Sequence, residues 1–370
     1  MSDDATINRA ARVLRRCHDL LPADRALREE LSQHRRLSPN EKRAMAQAVF
    51  AYHRWIQWTD PRDSVQARLA TTQRLQTRFD TNPANIKPQA LAARAVPDWL
   101  ATEVELGTDD LRALQSPPPV WIRARTGHLD SLRTALKDLE NAPRPGEPTA
   151  QRYTGTRDLF RTEGFQQGQF EIQDLGSQLV GTACAAQPGE IWWDTCAGEG
   201  GKTLHLADQM RNKGLIWATD RHTGRLSRLK QRLARAEVFN CRIAEWNGGA
   251  TLPFSTKFDG ILVDAPCSGV GTWRRNPHAR WTTTPDDVAE LASVQLNLLN
   301  HAASALKPGG RLIYAVCTTT RSETTSVAER FSASHPELQP FDLLGRGRNM
   351  FLPFSEFDAN AMFVAGWRRD

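Results

Sequence analysis

The segment Asp194-Thr195-Cys196-Ala197-Gly198-Glu199-Gly200-Gly201-Lys202-Thr203 decides the fold, because it joins an apolar strand to a helix through a glycine turn. The apolar run Ile191–Asp194 precedes this turn, and a helical pattern over 202–211 follows it. Outward from the segment, strand and helix patterns alternate. Further strands are predicted at Leu215–Asp220, 242–245, Phe258–Asp264 and 311–317, and further helices at 223–236 and 286–306. This alternation predicts an α/β fold with a doubly wound, mostly parallel, Rossmann-like sheet.

Polar residues stand at the ends of four of the predicted strands. These residues are Asp194, Asp220, Asp264 and Cys317. Ligands of doubly wound sheets bind beyond the carboxyl ends of the strands, so we expect all four residues to lie at one binding edge.

The glycine turn does not match the phosphate-binding motifs. A nucleotide P-loop needs a glycine five positions before Gly201, where Cys196 stands, and the dinucleotide pattern fails because Thr203 takes the place of its third glycine. Asp220, at the end of the next strand, suits ribose hydroxyls. These features predict a nucleoside ligand without phosphates, of which S-adenosylmethionine is the obvious example. The alternative is a turn whose glycines serve packing only.

Two cysteines are the second feature of the sequence that points to a functional site. The segment 264–277, Asp-Ala-Pro-Cys-Ser-Gly-Val-Gly-Thr-Trp-Arg-Arg-Asn-Pro, follows an apolar strand and contains Cys267. Cys317 ends another strand and precedes three threonines. We therefore expect both thiols at the edge that holds the glycine turn. The alternative is a pair of buried core cysteines, which is the usual fate of a free thiol.

Methylation at carbon 5 of cytosine is the chemistry that needs this set of residues. A thiolate that adds to carbon 6 makes carbon 5 nucleophilic, and an acid such as Asp264 can hydrogen-bond ring nitrogen 3. The thiol ionises only in a positive environment, which Lys202, Arg274 and Arg275 could supply.

Composition excludes several classes of protein. The chain has 370 residues, of which 40% are hydrophobic, and no run approaches the ~18 apolar residues of a membrane span. The first four residues are polar and precede no apolar signal core. The six cysteines form no C-x-x-C pair, which argues against a zinc site and a disulfide scaffold. We expect a reduced cytoplasmic protein with no metal site.

The positive charge lies near the N-terminus. Residues 1–100 contain 17 Lys and Arg against 11 Asp and Glu, and the remainder is neutral. We predict a helical domain over 1–80, including a helix opened by the capping box Ser38-Pro39-Asn40-Glu41, then a helical connector over 81–117. A small α/β lobe is expected over 118–165, including a loop at 141–148, before the main domain at 166–370. The basic excess fits a nucleic acid, or only a solvated helical surface.

At these motifs the chain resembles the Sun/RsmB-type family of RNA cytosine-5 methyltransferases. Residues 194–203 are similar to the family's first motif, with Gly198 and Glu199 in place of an Ala-Pro pair, and 264–277 resembles its most specific motif. The resemblance implies that Cys317 is the covalent nucleophile and that Cys267 aids product release. It also implies that S-adenosylmethionine is held by Cys196, Ala197, Gly198, Glu199, Gly200, Gly201, Lys202, Asp220, Asp264 and Asn247.

Trp246 or Asn247 stands where the family usually has an aspartate after the third strand. Residues 1–80 are only weakly similar to a NusB-like RNA-binding domain. The basic and aromatic group Arg274, Arg275, Arg280 and Trp281 suggests RNA contacts beside the thiol. We expect a monomeric, cytoplasmic RNA cytosine-5 methyltransferase that acts on ribosomal RNA, with no membrane association. The alternatives are a transfer-RNA methyltransferase and a non-catalytic RNA-binding assembly factor.

Overall fold

The computed structural model describes residues 4–18, 20–34, 36–142 and 149–370. They divide into two compact units. The first comprises the chain up to Pro118 together with Gly269–Pro285, and the second comprises Pro119–Ser268 and Asp286–Asp370. Most of the loop predicted at 141–148 lies outside the described residues.

The helices of the first unit are α1 (Asp4–Arg16), α2 (Ala23–Gln33), α3 (Pro39–Trp55), α4 (Val65–Thr81), α5 (Pro88–Arg94), α6 (Thr108–Gln115) and the short α12 (Ala279–Thr282). The capping box predicted at the start of α3 is confirmed. The Ser38 hydroxyl accepts a hydrogen bond from the Glu41 amide, and the Glu41 carboxylate accepts one from the Ser38 amide. Met45 and Val49 lie one turn apart on α3 and are buried in the core that α1, α2 and α3 share.

The segment 269–285 carries the cations predicted to contact RNA, and it packs within the first unit. Arg280 is 0% exposed, and its guanidinium donates to the carbonyl oxygens of Ala95 and Leu114 at 2.8 and 2.9 Å. Arg274 is also buried and donates to the Pro117 carbonyl at 3.0 Å. The prediction that Arg274 and Arg280 contact RNA is therefore wrong for the described conformation, because both side chains satisfy backbone acceptors in the interior.

The second unit contains two sheets and eight helices among its described residues. The helices are α7 (Leu129–Leu136), α8 (Glu163–Gln166), α9 (Leu175–Cys184), α10 (Gly201–Gln209), α11 (Thr223–Arg235), α13 (Pro285–Ala303), α14 (Thr325–Ser334) and α15 (Phe354–Phe357). The small antiparallel sheet has the order β2-β3-β1-β4 and comprises β1 (Val120–Ala124), β2 (Leu139–Asn141), β3 (Ala150–Tyr153) and β4 (Phe170–Ile172). Because β4 pairs with β1, this sheet extends past the boundary expected at residue 165.

The large sheet confirms the predicted doubly wound architecture. Its strands are β5 (Ile191–Asp194), β6 (Leu215–Asp220), β7 (Cys241–Glu245), β8 (Phe258–Asp264), β9 (Leu306–Val316), β10 (Leu338–Pro340), β11 (Asn349–Leu352) and β12 (Met362–Arg369). The order is β10-β12-β9-β8-β5-β6-β7, with β11 paired to β12. Strands β5 to β9 run parallel, whereas β12 runs antiparallel to β9. The neighbouring Trp192 and Trp193 are wholly buried, as expected of core residues.

The parallel pairing fixes where the functional residues lie. Asp194 is in register with Ala218 of β6 and Leu262 of β8, and Asp264 is in register with Ala315 of β9. The carboxyl ends of β5, β6, β8 and β9 therefore meet at one edge, which the sequence predicted. Among the described residues, no helix is both long and apolar enough to span a membrane.

Replacing Arg280 with alanine should lower the free energy of unfolding by about 3 kcal/mol, because it leaves two buried carbonyls without donors and opens a cavity. Urea denaturation followed by tryptophan fluorescence measures this loss. Arg275→Ala is the matched control, since Arg275 is exposed, and its effect should stay within about 0.5 kcal/mol. Equal stabilities for the two variants would contradict the structural role of Arg280.

Candidate active site

The turn between β5 and α10 requires glycine at two positions. Gly198 and Gly200 have φ values of +57° and +89°, in the left-handed region that side chains disfavour. A Cβ atom at Gly200 would lie 2.1 Å from Leu229 Cδ1, and one at Gly198 would lie 2.6 Å from Arg225 Nη2. The turn thus brings bare backbone to the edge of the sheet, where a ligand can approach it closely.

Asp220, at the end of β6, organises the turn. Its carboxylate accepts hydrogen bonds from the Gly198 amide at 2.9 Å and from the His222 amide at 2.8 Å, and Arg225 Nη1 lies 3.5 Å away. A carboxylate has about four lone-pair positions, so acceptor capacity remains for ligand hydroxyls. This geometry is consistent with the ribose contact predicted for Asp220.

Asp194 is wholly buried beneath the turn. Its Oδ2 accepts a hydrogen bond from the Thr203 hydroxyl at 2.7 Å, whereas Oδ1 has no partner in the part of the chain that the structure describes. Burial raises the pKa of Asp194 to about 7 from an ordinary value of 3.8. The Asp264 carboxylate acts in the same direction, and the Thr203 hydrogen bond opposes the shift.

Lys202 and Asp264 form an ion pair at the same edge. Lys202 Nζ donates to Asp264 Oδ2 at 2.7 Å, and the lysine side chain is almost wholly buried. Burial alone would lower the pKa of Lys202, but the Asp264 carboxylate outweighs it and raises the pKa. Negative charge on the Cys317 sulfur contributes to the same upward shift, so the ammonium lies close enough to stabilise a thiolate there.

The two predicted thiols are in contact. Cys267 Sγ lies 3.3 Å from Cys317 Sγ, and both residues are partly exposed. Their partial exposure argues against the alternative of a pair of buried core cysteines. Burial raises the pKa of the Cys196 thiol, in the glycine turn, to about 12 and keeps it protonated. Among the described residues, no cluster of His, Cys, Asp and Glu could hold a metal ion.

The residues that depart from the family motif make contacts with their neighbours in the structure. The Glu199 carboxylate pairs with Arg228 on α11, which offsets the negative charge that this residue adds to the turn. Asn247 is exposed, and its side-chain oxygen accepts a hydrogen bond from the Gly249 amide at 3.0 Å. Trp246 packs on Trp193 in the core, with ring centroids 4.8 Å apart. Cofactor contact by Asn247 stays a prediction.

The site fits the expected cofactor. Three carboxylates, those of Asp194, Asp220 and Asp264, surround one glycine turn, and one of them has an unpartnered buried oxygen. A cationic nucleoside such as S-adenosylmethionine complements this arrangement, because it offers ribose hydroxyls, an ammonium and a sulfonium to acceptor groups.

Sequence reasoning missed Glu323. This residue is wholly buried beside the thiols, and its carboxylate accepts hydrogen bonds from the loops that follow both cysteines. The sequence feature that could have indicated Glu323 is its place six positions after Cys317, at the end of a predicted strand.

Replacing Asp194 with asparagine should remove a pH dependence of stability. The folded chain keeps this proton up to a pH of about 7, whereas the unfolded chain loses it near pH 4. Stability should therefore fall as the pH rises through this window, by on the order of 3 kcal/mol between pH 5 and pH 8, relative to the asparagine variant. Urea denaturation of both proteins at pH 5 and pH 8 measures the difference. A difference that is the same at both pH values would contradict the protonated buried carboxyl.

Oxidation with diamide should link Cys267 to Cys317 selectively, because their sulfur atoms are in contact. Peptide mapping by mass spectrometry identifies the bond. Replacing either cysteine with serine should prevent it, whereas replacing the half-buried Cys241 should not. A different disulfide forming first would contradict the described geometry.

Comparisons with known proteins agree with this site. Residues 182–353 match the family model described as 16S rRNA methyltransferase RsmB/F. The chain is 40% identical to a probable ribosomal RNA small subunit methyltransferase B of Bacillus subtilis over 186 residues, which are 48% of this chain and 40% of the relative. It is 36% identical to the protein of the same name from Synechocystis over 229 residues, which are 60% of this chain and 49% of the relative.

The crystal structure of PH0851 superposes over 100% of both chains with a TM-score of 0.82 at 23% identity, a likeness of fold. The chain spans about half the length of the curated relatives it matches. The glycine turn, the segment with Cys267 and the end of β9 all fall within the matched residues. Residues 182–353 are therefore similar in sequence to the RsmB/F family over the part of the chain that carries the candidate site.

Proposed function

We propose that the chain is an S-adenosylmethionine-dependent RNA cytosine-5 methyltransferase that acts on ribosomal RNA of the small subunit. The contact between Cys267 Sγ and Cys317 Sγ, at the edge that also holds the Lys202–Asp264 pair, is the observation that carries this proposal. Cytosine methylation at carbon 5 requires one sulfur that bonds to the base and one group that takes a proton from it. Two adjoining thiols beside a buried ammonium supply both.

The nucleophile in this proposal is Cys317. Its thiolate forms a bond to carbon 6 of cytosine, and the electron pair of the 5,6 double bond moves to carbon 5. Asp264, once protonated from solvent, donates a hydrogen bond to ring nitrogen 3 and keeps this proton, while Lys202 Nζ, 2.7 Å from Asp264 Oδ2, orients the carboxyl group by donating to that oxygen. The Lys202 ammonium also stabilises the thiolate before it attacks. Both roles require Lys202 to stay buried and protonated, as the raised pKa indicates.

The release step is assigned to Cys267. After carbon 5 has gained its methyl group, the Cys267 thiolate takes the proton from that carbon. The electron pair of that carbon–hydrogen bond restores the 5,6 double bond, and the bond between carbon 6 and Cys317 breaks. Cys317 leaves as a thiolate, and Cys267 then loses the proton it has taken up to solvent, so atoms and electrons balance over the cycle. Cys267 Sγ and Cys317 Sγ lie 3.3 Å apart, so the sulfur that takes the proton adjoins the sulfur that leaves.

S-Adenosylmethionine would be held by the glycine turn, Asp194 and Asp220. When bound, it supplies an electrophilic methyl group on a sulfonium. The carboxylates favour its cationic form, and Asp220 has acceptor capacity for the ribose. The bare backbone at Gly198 and Gly200 lets the ligand approach the start of α10.

The proposal that RNA is the substrate is supported by the names of the relatives and by the chemistry of cytosine. The target cytosine must be unpaired or flipped out to reach the thiols. Arg275 is exposed and Trp281 is partly exposed, so both remain candidates for RNA contact, whereas Arg274 and Arg280 do not. We further propose that the enzyme acts in the cytoplasm as a monomer.

Two observations weigh against the alternatives. A non-catalytic assembly factor would have no need of two sulfur atoms in contact beside a buried lysine. A transfer-RNA substrate has no support from the matched relatives, which are named for ribosomal RNA.

Replacing Cys267 with alanine should trap the chain on RNA, because the adduct forms but carbon 5 keeps its proton. Replacing Cys317 should abolish both the adduct and methylation, by at least about 1,000-fold. A denaturing gel with small-subunit ribosomal RNA and S-adenosylmethionine detects the adduct, and bisulfite sequencing detects the product. Cys241→Ala should behave like the unmodified chain. An adduct with the Cys317 variant, or none with the Cys267 variant, would contradict the assigned roles.

A further inference from the structure

Glu323 is a buried carboxylate that the proposed chemistry does not use. It is 0% exposed and lies at the end of a short helical turn, Arg321–Glu323, between β9 and α14. Burying a charge is costly unless hydrogen bonds replace the lost water. Four neutral donors do so here, and two of them reach each oxygen of the carboxylate.

The first oxygen holds the loop that carries Cys267. The Ser268 amide donates to Glu323 Oε1 at 2.8 Å, and Gln295 Nε2 donates to the same atom at 3.0 Å. Gln295 Nε2 also donates to the Pro266 carbonyl at 2.9 Å. The residues on either side of Cys267 are therefore bonded to one buried pair of side chains.

The second oxygen holds the loop that follows Cys317. The Thr320 hydroxyl donates to Glu323 Oε2 at 2.8 Å, and the Ser268 hydroxyl donates to the same atom. The Ser268 hydroxyl also lies 3.1 Å from the Thr318 hydroxyl, next to Cys317 in the chain. One carboxylate thus bridges the two thiol-bearing loops.

The strand beneath supports this bridge. The Tyr314 hydroxyl, on β9, lies 2.6 Å from the Glu323 carbonyl oxygen and 2.9 Å from Gln295 Oε1. Burial raises the pKa of Tyr314 well above its ordinary value, so the hydroxyl keeps its proton and remains a donor. The turn that carries Glu323 is therefore held at both its backbone and its side chain.

We propose that Glu323 is the positioning residue that keeps the sulfur atoms of Cys267 and Cys317 in contact. Its role in methylation rests on the proposed function, whereas its role in holding the thiols together does not. Glu323 acts through Ser268 on one loop and through Thr320 on the other.

The hydrogen-bond pattern predicts which substitutions the bridge tolerates. The donors to Oε1 are N–H groups, which cannot accept, whereas the donors to Oε2 are hydroxyls, which can rotate and accept. A glutamine can therefore place its oxygen at the first position and its amide nitrogen at the second. Alanine would remove the acceptor that all four donors share, and aspartate is one methylene too short to reach both loops.

The experiment measures the rate of the Cys267–Cys317 disulfide with diamide, which takes up the two electrons and two protons that the thiols release. Glu323→Ala should slow this rate at least about 10-fold, while Glu323→Gln should stay within about 5-fold of the unmodified chain. In a methylation assay, Glu323→Ala should lower kcat about 100-fold with little change in the KM for S-adenosylmethionine.

The matched control is Asp208→Ala. Asp208 is a partly buried carboxylate of the second unit and pairs with the wholly buried Arg123 at 2.9 Å. Its loss should lower the melting temperature, as that of Glu323 does, but leave the rate of disulfide formation unchanged. Where Glu323→Ala does not fold, Ser268→Ala serves instead, because it removes one hydroxyl of the bridge; it should slow the disulfide about threefold.

Disulfide formation at the unmodified rate in the Glu323→Ala or Ser268→Ala variant would overturn the proposal, as would an equal slowing in Asp208→Ala. An unmodified chain that forms the disulfide but does not methylate RNA would refute the proposed function and leave the positioning role to be decided by the disulfide rates. The two proposals therefore fail separately.

Discussion

The parallel pairing of β8 with β9 is the constraint on which the site depends. Asp264, the last residue of β8, lies in register with Ala315, two residues before Cys317. The loops that leave these strands therefore begin side by side at the same edge of the sheet. A shift of the register would separate Cys267 from Cys317, and backbone hydrogen bonds between two buried strands make such a shift costly. The register of these two buried strands thus fixes where the two thiols lie.

Polar contacts then hold the side chains of the site in position at the edge of the sheet. The Asp220 carboxylate holds the Gly198 amide, and Lys202 reaches from α10 to Asp264 on β8. Glu323 joins the two loops that carry the sulfur atoms. Each of these contacts links different elements of the sheet edge and is at least partly buried, so water competes with it less than at the surface. The result is a preorganised site with positive charge from Lys202 beside a pair of thiols.

Much of this arrangement could be predicted from the sequence, because alternating strand and helix patterns place strand ends at a common edge. Asp194, Asp220, Asp264 and Cys317 were located in this way. Arg274 and Arg280 were misjudged, because charged side chains beside a catalytic motif are usually exposed, and only tertiary packing shows that 269–285 belongs to the helical unit. The antiparallel β12 and the role of Glu323 were also missed, since long-range pairing leaves no local pattern.

The most direct test of the central claim identifies which sulfur bonds to the base. An RNA substrate that carries 5-fluorocytidine cannot lose a proton from carbon 5, so the adduct persists after methyl transfer. Protease digestion and mass spectrometry then locate the attached nucleotide. The account predicts attachment at Cys317, with an added methyl group on the base. Attachment at Cys267, or methylated RNA without any adduct, would contradict it.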